Sequence, residues 1–325
     1  MRDEPLHATM EEYLRHESGK RPPKSLYKHR HDLTCFWRWL QGRQAEAAGM
    51  SADELREYQR WLADVHRTPK GGLLSPASQV KRLGAVKTFY RFLERRGMLM
   101  IDPAKDLKLP KVVKHTTQRD YLSLQEVTAL LQTQAKRVQD TPKEMLRWAI
   151  ELRNLAFFCL AVATGRRHGG LRSLKVTDLD FERDELRVAK EKGQTGRVLP
   201  VARWAMVAAK EYVEQARPRF LSAVHSGFLF VSKKNGTVSH QAEDSLRILK
   251  EQTVAENPDL TELAGKTLTM HGLRVTFAKL LFQGGCNLRS VNEMMLHNRL
   301  STTAYYTPLK LEELRQTCRL AHPRA

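Results

Sequence analysis

Cysteine is scarce, and its spacing is uninformative for chemistry. The 325 residues hold four, Cys35, Cys159, Cys286 and Cys318, with no C-x-x-C and no His/Cys cluster at metal-ligand spacing. That argues against a disulfide-stapled secreted scaffold and a structural zinc site, and predicts reduced thiols in a reducing, cytoplasmic compartment. G-x-x-x-x-G-K-S/T and G-x-G-x-x-G are both missing, so no nucleotide and no other cofactor is expected. The longest apolar run, Leu155 to Thr164, reaches about half the roughly 20 residues a membrane helix needs. The opening MRDEPLHATMEEYL has no apolar h-region, so secretion is not expected. Acidic residues are the remaining shortage: 36 Asp and Glu face 55 Lys and Arg, leaving a formal charge of +19 and a pI near 9.9. Hydrophobic residues make up 41%, enough for two cores, so the excess charge belongs to a folded surface suited to a polyanionic partner.

The first part of the chain reads as short helices. Pro5 to Glu17 is one; Ser25 to Gly42 carries the stripe Leu33, Phe36, Trp37, Leu40; Ser51 to Glu54 is a capping box opening a third; and a fourth follows Pro76. From Gln79 to Arg96, Val80, Leu83, Val86, Tyr90 and Leu93 recur at three- and four-residue steps, with Lys81, Lys87, Arg91 and Arg95 mostly off that stripe. Those four are the candidate nucleic-acid contacts. The basic, aperiodic stretch DLKLPKVVKHTTQ reads as a linker. This predicts a helical unit at residues 1–105, a linker at 106–118 and a second unit at 119–325. The second opens with a capping box at Ser123 to Glu126. It continues through apolar helices to Ala163 and alternates as a hairpin at Leu186, Val188 and Val198 to Val201. A second hairpin is expected from Phe228 to Val231 and Thr237 to Ser239, about Asn235 and Gly236, and the remainder is helical.

Four pieces of the second unit carry candidate chemistry: Ala163 to Arg167 (ATGRR), Lys192 to Arg197 (KGQTGR), His271 to Arg274 (HGLR), and Leu296-His297 followed by Leu300 to Tyr306 (LSTTAYY). Singly, each reads as readily as a solvated arginine, a turn lysine, a core histidine or a surface tyrosine. In this order they resemble the tyrosine recombinase, or phage-integrase, family, whose boxes are Ala-Thr-Gly-x-Arg, Lys-Gly-x-x-x-Arg in a hairpin, His-x-x-Arg, and His-x-x-Leu-Ser-Thr-Thr-x-x-Tyr-Thr. The resemblance extends into the first unit through Ser75-Pro76, Phe89 to Leu93 and Asp102-Pro103. This chain departs from the family at Gly170, where Glu is usual, at Val275, where His is common, and at Leu296, where Gly commonly precedes the late histidine.

The resemblance implies a mainly α fold with a small β component: a helical, SAM-like core-binding domain and an α-rich catalytic domain. It implies site-specific cleavage and rejoining of double-stranded DNA through a 3′-phosphotyrosine. The catalytic residues carried over are Arg167, Lys192, His271, Arg274, His297 and Tyr306. The chemistry suits these residue types. Guanidiniums grip the non-bridging oxygens with paired donors and stay charged. His271 lies on the same helix face as Arg274, three residues away, and is the candidate to assist the tyrosine. Lys192 is suited to protonate the leaving 5′-oxygen, and no metal is needed. Lys190 rivals Lys192 and Tyr305 rivals Tyr306; Tyr305 falls on a usually apolar family position. The resemblance further implies a homotetramer or heterotetramer on two duplexes, with Leu309 to Ala321 docking on a neighbour, in an Xer-like enzyme or a compact integrase of a mobile element. The alternatives are a DNA-binding protein of the same fold that has lost activity and a type IB topoisomerase-like relaxing enzyme.

Overall fold

A computed structural model of the chain describes residues 7–69, 71–112, 120–188, 196–221, 227–232 and 241–296. The chain divides into two compact units, Met1–His115 and Thr116–Ala325.

The described residues of the first unit form four α-helices, α1 (Ala8–Ser18), α2 (Pro23–Gln41), α3 (Ala52–Asp64) and α4 (Pro76–Arg95). Proline occupies the first turn of both α2 and α4, where its fixed φ fits and no amide donor is missed. The expected capping box opens α3: the Glu54 amide donates to Ser51 Oγ, and the Ser51 amide to the Glu54 carboxylate. Behind α4, Gly97 adopts φ +69 and the Met98 amide returns to the Leu93 carbonyl at 3.0 Å, a turn glycine takes without a Cβ penalty. Of the stripes expected on α2 and α4, Leu33, Phe36, Leu40, Leu83, Val86, Tyr90 and Leu93 are buried, whereas Trp37 and Val80 are half-buried. Trp39 and Phe89 join them, and Phe36 meets both Tyr58 and Tyr90 edge to face. Leu107 also packs into this core, and the Gln59 amide donates to the Lys108 carbonyl. The start of the expected linker is therefore tied to the helical unit.

The second unit is built around α6 (Leu146–Thr164), which is apolar on nearly every face and buried accordingly. The helix α5 (Leu124–Asp140) packs on it and starts with the predicted Ser123–Glu126 capping box. After α7 (His168–Arg172) comes a three-stranded antiparallel sheet, β1 (Leu179–Asp180), β2 (Glu185–Val188) and β3 (Arg197–Pro200), in the order β1-β2-β3. Leu186 pairs with Leu199 across β2 and β3, and both turn into the core. The tip of this hairpin, with Lys190 and Lys192, lies outside the described residues. There follow α8 (Arg203–Glu211), running into a π-turn at Tyr212–Ala216, then α9 (Gln241–Glu256), α10 (Thr261–Gly265), α11 (Met270–Gln283) and α12 (Leu288–Met294). The fold is mainly α with a small β component.

Only the first half of the second expected hairpin, Phe228 to Val231, lies among the described residues. Phe228 makes an isolated antiparallel bridge to Lys175, and the Leu229 amide donates to the Leu174 carbonyl at 2.7 Å. Its apolar residues are drawn into the main core beside Phe157 and Tyr212. Its other half, with Asn235 and Gly236, lies outside the described residues.

Candidate active site

The first box is the exit of α6. Gly165 caps the helix in the left-handed region (φ 57°, ψ 19°), and its amide returns to the Ala161 carbonyl at 3.0 Å. Two constraints select glycine here. The positive φ is one, and the second is Phe277, whose ring would stand 2.2 Å from an added Cβ. Arg167 follows as the N-cap residue of α7 with its side chain exposed, while Arg166 is buried.

The second box lies on α11, whose N-cap is Thr269, its Oγ1 accepting the Gly272 amide at 3.0 Å. Three contacts seat this helix and the segment leading into it against the start of α5. The Leu122 amide donates to Thr276 Oγ1 at 2.9 Å, the Thr267 amide donates to Asp120 Oδ2 at 2.7 Å, and Lys266 Nζ lies 2.7 Å from both Glu126 oxygens. Burial disfavours the charged Lys266, but the Glu126 carboxylate outweighs it and holds the ammonium above its ordinary pKa.

His271 is half-buried on the first turn of α11, and Arg274 is only 2% exposed. The Arg274 guanidinium donates from Nη1 to the Gly165 carbonyl at 2.6 Å and from Nη2 to the Met295 carbonyl at 2.7 Å. One side chain thus joins the first box, the second box and the segment two residues before His297. Leu296, next to His297, has φ 53°, a left-handed conformation that strains a residue bearing a Cβ. The family's usual glycine at this position has a physical reason that this chain does without. Lys192, His297, Tyr305 and Tyr306 lie outside the described residues.

The four basic candidates on α4 separate. Lys81, Arg91 and Arg95 are exposed, whereas Lys87 is half-buried, its ammonium donating to the carbonyls of Lys105 at 3.0 Å and Leu107 at 2.8 Å. Arg91 and Arg95 line a pocket of about 310 Å³ between α1 and α4, together with His16, Lys20, Arg21 and Arg96. Those four partners lie far from α4 in sequence or just past its end, and only the packing of α1 on α4 shows them as one patch. Burial pushes the one carboxylate among them, Glu17, upward, but the Arg21 bond, with Lys20 and His16, holds it below the usual carboxylate range.

Comparison with known proteins adds the following. The profile described as the Phage integrase family matches residues 122–313, and that of the Phage integrase N-terminal SAM-like domain matches residues 10–97. Tyrosine recombinase XerD of Corynebacterium glutamicum is 30% identical over 307 residues, covering 93% of this chain and 92% of its own. Tyrosine recombinase XerC of Chromohalobacter salexigens is 31% identical over 326 residues, covering 98% and 97%. Among solved structures, XerH site-specific recombinase bound to palindromic difH substrate in a post-cleavage complex shares the fold. Its TM-score is 0.65 at 19% identity, over 91% of this chain and 79% of that one.

Proposed function

The chain belongs to the phage integrase family, and from that premise we propose that Tyr306 attacks a DNA phosphodiester and holds the 3′-phosphate until a second 5′-hydroxyl reverses the reaction. It is a tyrosine-type site-specific DNA recombinase. Attack on phosphorus places growing negative charge on the non-bridging oxygens, and preorganised donors stabilise that charge at no reorganisation cost. Arg167 and Arg274 are the donors proposed here. The two carbonyl bonds of Arg274 use two of its five N–H groups and fix the plane of the fork. His271, one turn before Arg274 on α11, assists loss of the tyrosine proton, because a phenol of ordinary pKa near 10 is a weak nucleophile at neutral pH. Lys192 protonates the leaving 5′-oxygen, and His297 donates to a non-bridging oxygen. The phosphotyrosine conserves the energy of the phosphodiester, so rejoining needs no nucleotide.

The observation that carries the reading is the bridge from Arg274 to the Gly165 and Met295 carbonyls, which supports convergence of boxes separated by more than 100 residues in the chain. The exposed cations of α4 support a DNA-facing role for Lys81, Arg91 and Arg95. A helical unit at residues 1–105 and a catalytic unit at 119–325 acting in the cytoplasm, with four protomers on two duplexes, complete the proposal. Trapping tests it. Covalent protein–DNA complexes isolated from cells expressing the wild type are sequenced to give the site, which is rebuilt as a duplex nicked beside the cleavage point. The wild type is expected to accumulate adduct in excess EDTA, Tyr306→Phe to form none while binding the duplex normally, and Tyr305→Phe to retain it. Adduct mapped by mass spectrometry to Tyr305 or a serine overturns the nucleophile, and cleavage without preference for the recovered site overturns site-specific action.

A further inference from the structure

Two arginines follow one another in the turn between α6 and α7, and the fold uses them in opposite ways. Arg167 is exposed, whereas Arg166 is 8% exposed. The Arg166 side chain runs forward along α7 and sets its guanidinium over the backbone at Gly170. A Cβ added at residue 170 would lie 3.0 Å from Nη2, 3.3 Å from Nε and 3.4 Å from Cζ of Arg166. The backbone does not call for glycine there, since Gly170 has no positive φ. Its neighbour Gly169 has no positive φ either, and an added Cβ would meet nothing within 4 Å. Glycine in a helix is disfavoured relative to alanine. At Gly170 the compensating gain is space, because only a hydrogen leaves room for the guanidinium to sit this close.

We propose that Arg166 is a positioning residue, whose guanidinium seated on Gly170 locks the start of α7 and thereby directs the Arg167 side chain at the scissile phosphate. The proposal rests on the reading of Arg167 as a phosphate-gripping residue. The turn is held on its other side by known contacts: the Gly165 carbonyl by Arg274, and the Arg166 amide by a long bond to Thr164 Oγ1, 3.4 Å. Arg167 itself is tied into α7 by the Leu171 amide, which donates to its carbonyl at 3.0 Å. The direction of α7 therefore sets where the Arg167 side chain begins, and the Arg166–Gly170 contact pins that direction. A misplacement of about 1 Å in an oriented site can lower a rate about 10²-fold. Flexible side-chain ends yield readily, so a methyl at residue 170 is expected to displace the guanidinium without unfolding anything.

The test uses the full chain and the nicked duplex built from the trapped site, with three readouts: the rate of adduct formation at saturating duplex, duplex affinity and the thermal midpoint. Gly170→Ala is expected to lower the rate about tenfold, leave affinity within about twofold, and leave the midpoint unchanged or higher, because alanine favours the helix. A merely structural glycine would lose stability along with activity. Arg166→Met is expected to lose a similar factor, and Gly170→Ala combined with Arg166→Met to be within about twofold of the slower single variant, since both act through one contact. Gly169→Ala is expected to react like the wild type. An active wild type with an indifferent Gly170→Ala overturns the proposal alone, as do losses that multiply in the double variant. A wild type that forms no adduct overturns the recombinase reading and this proposal with it. Should Arg166→Met fold poorly, the Gly170→Ala comparison decides the matter.

Discussion

Arg167 and Arg274 are equivalent in the proposed chemistry and unlike in the fold, and that difference can be measured. The Arg167 side chain is exposed, so Arg167→Ala is expected to leave stability within about 0.5 kcal/mol of the wild type while lowering cleavage at least about 10²-fold. Arg274 is buried and holds the Gly165 and Met295 carbonyls, so Arg274→Ala leaves both buried acceptors without that donor. A loss of about 2–4 kcal/mol is expected in addition to the loss of cleavage, read from denaturant midpoints. Equal stability of the two variants would show that the bridge contributes nothing. Arg274→Lys is expected to rescue poorly, because a point charge cannot span two carbonyls in the geometry of a planar fork. The sequence pattern identified both arginines as chemical groups, but the second role of Arg274 was not legible. Its partners are backbone carbonyls 109 and 21 residues away, and carbonyls carry no sequence signal. The same reasoning explains Gly165. Its left-handed cap could be anticipated from a glycine ending an apolar helix, but the nearby Phe277 ring could not.

At the scale of elements, signals contained within a few residues were the readable ones. Both capping boxes form as the Ser-x-x-Glu spacing requires, and the apolar stripes of α2 and α4 turn inward. Tertiary choices were not readable in this way. Phe228 has the composition of a strand, and nothing in the sequence names Lys175 as the residue it bridges. Lys87 and Arg91 sit one turn apart on α4, and only Lys87 is engaged by the chain that passes at Lys105 to Leu107. The pairing of α5 with α6 offers a pH test of the same kind of hidden contact. Glu151 on α6 has its side chain 5% exposed. Arg137 on α5 grips it with Nη2 at 2.7 Å and Nε at 3.0 Å, and Gln134 adds a bond at 2.9 Å. Burial pushes the carboxyl upward, but the Arg137 and Gln134 bonds outweigh it and hold the pKa below the ordinary value. A depressed folded pKa gives stability that is fully present above the unfolded pKa, about 4.3, and is lost as pH falls through the folded value. Glu151→Gln is expected to cost about 3 kcal/mol at pH 7, because it leaves the Arg137 charge largely buried without its partner. The wild type is expected to lose part of that advantage on acidification, so that the two stability curves draw together below about pH 4. Curves that stay parallel from pH 7 to 3 would show that this pair does not carry the effect.

For the whole molecule, the excess of 19 positive charges becomes a statement about binding once the cations are sorted by what they touch. Each phosphate neutralised releases condensed counterions, so affinity for duplex DNA should fall about 10³- to 10⁵-fold between 50 and 200 mM salt if about six to ten phosphates are engaged. Net charge alone does not say which cations contribute. Arg91 and Arg95 are exposed at the pocket between α1 and α4 and form no ion pair among the described residues. Lys87 spends its ammonium on two backbone carbonyls. Arg91→Ala and Arg95→Ala are therefore each expected to reduce the slope of log affinity against log salt by about 1, without base preference, as the loss of one phosphate contact does. Lys87→Ala is expected to keep that slope and to lower the thermal midpoint of the helical unit instead, since two carbonyls lose their donor. Fluorescence anisotropy on a labelled duplex across a salt series measures the slopes, and thermal melts measure the stability. A slope change at Lys87 with none at Arg91 and Arg95 would mean that the DNA-facing surface lies elsewhere than the exposed side of α4.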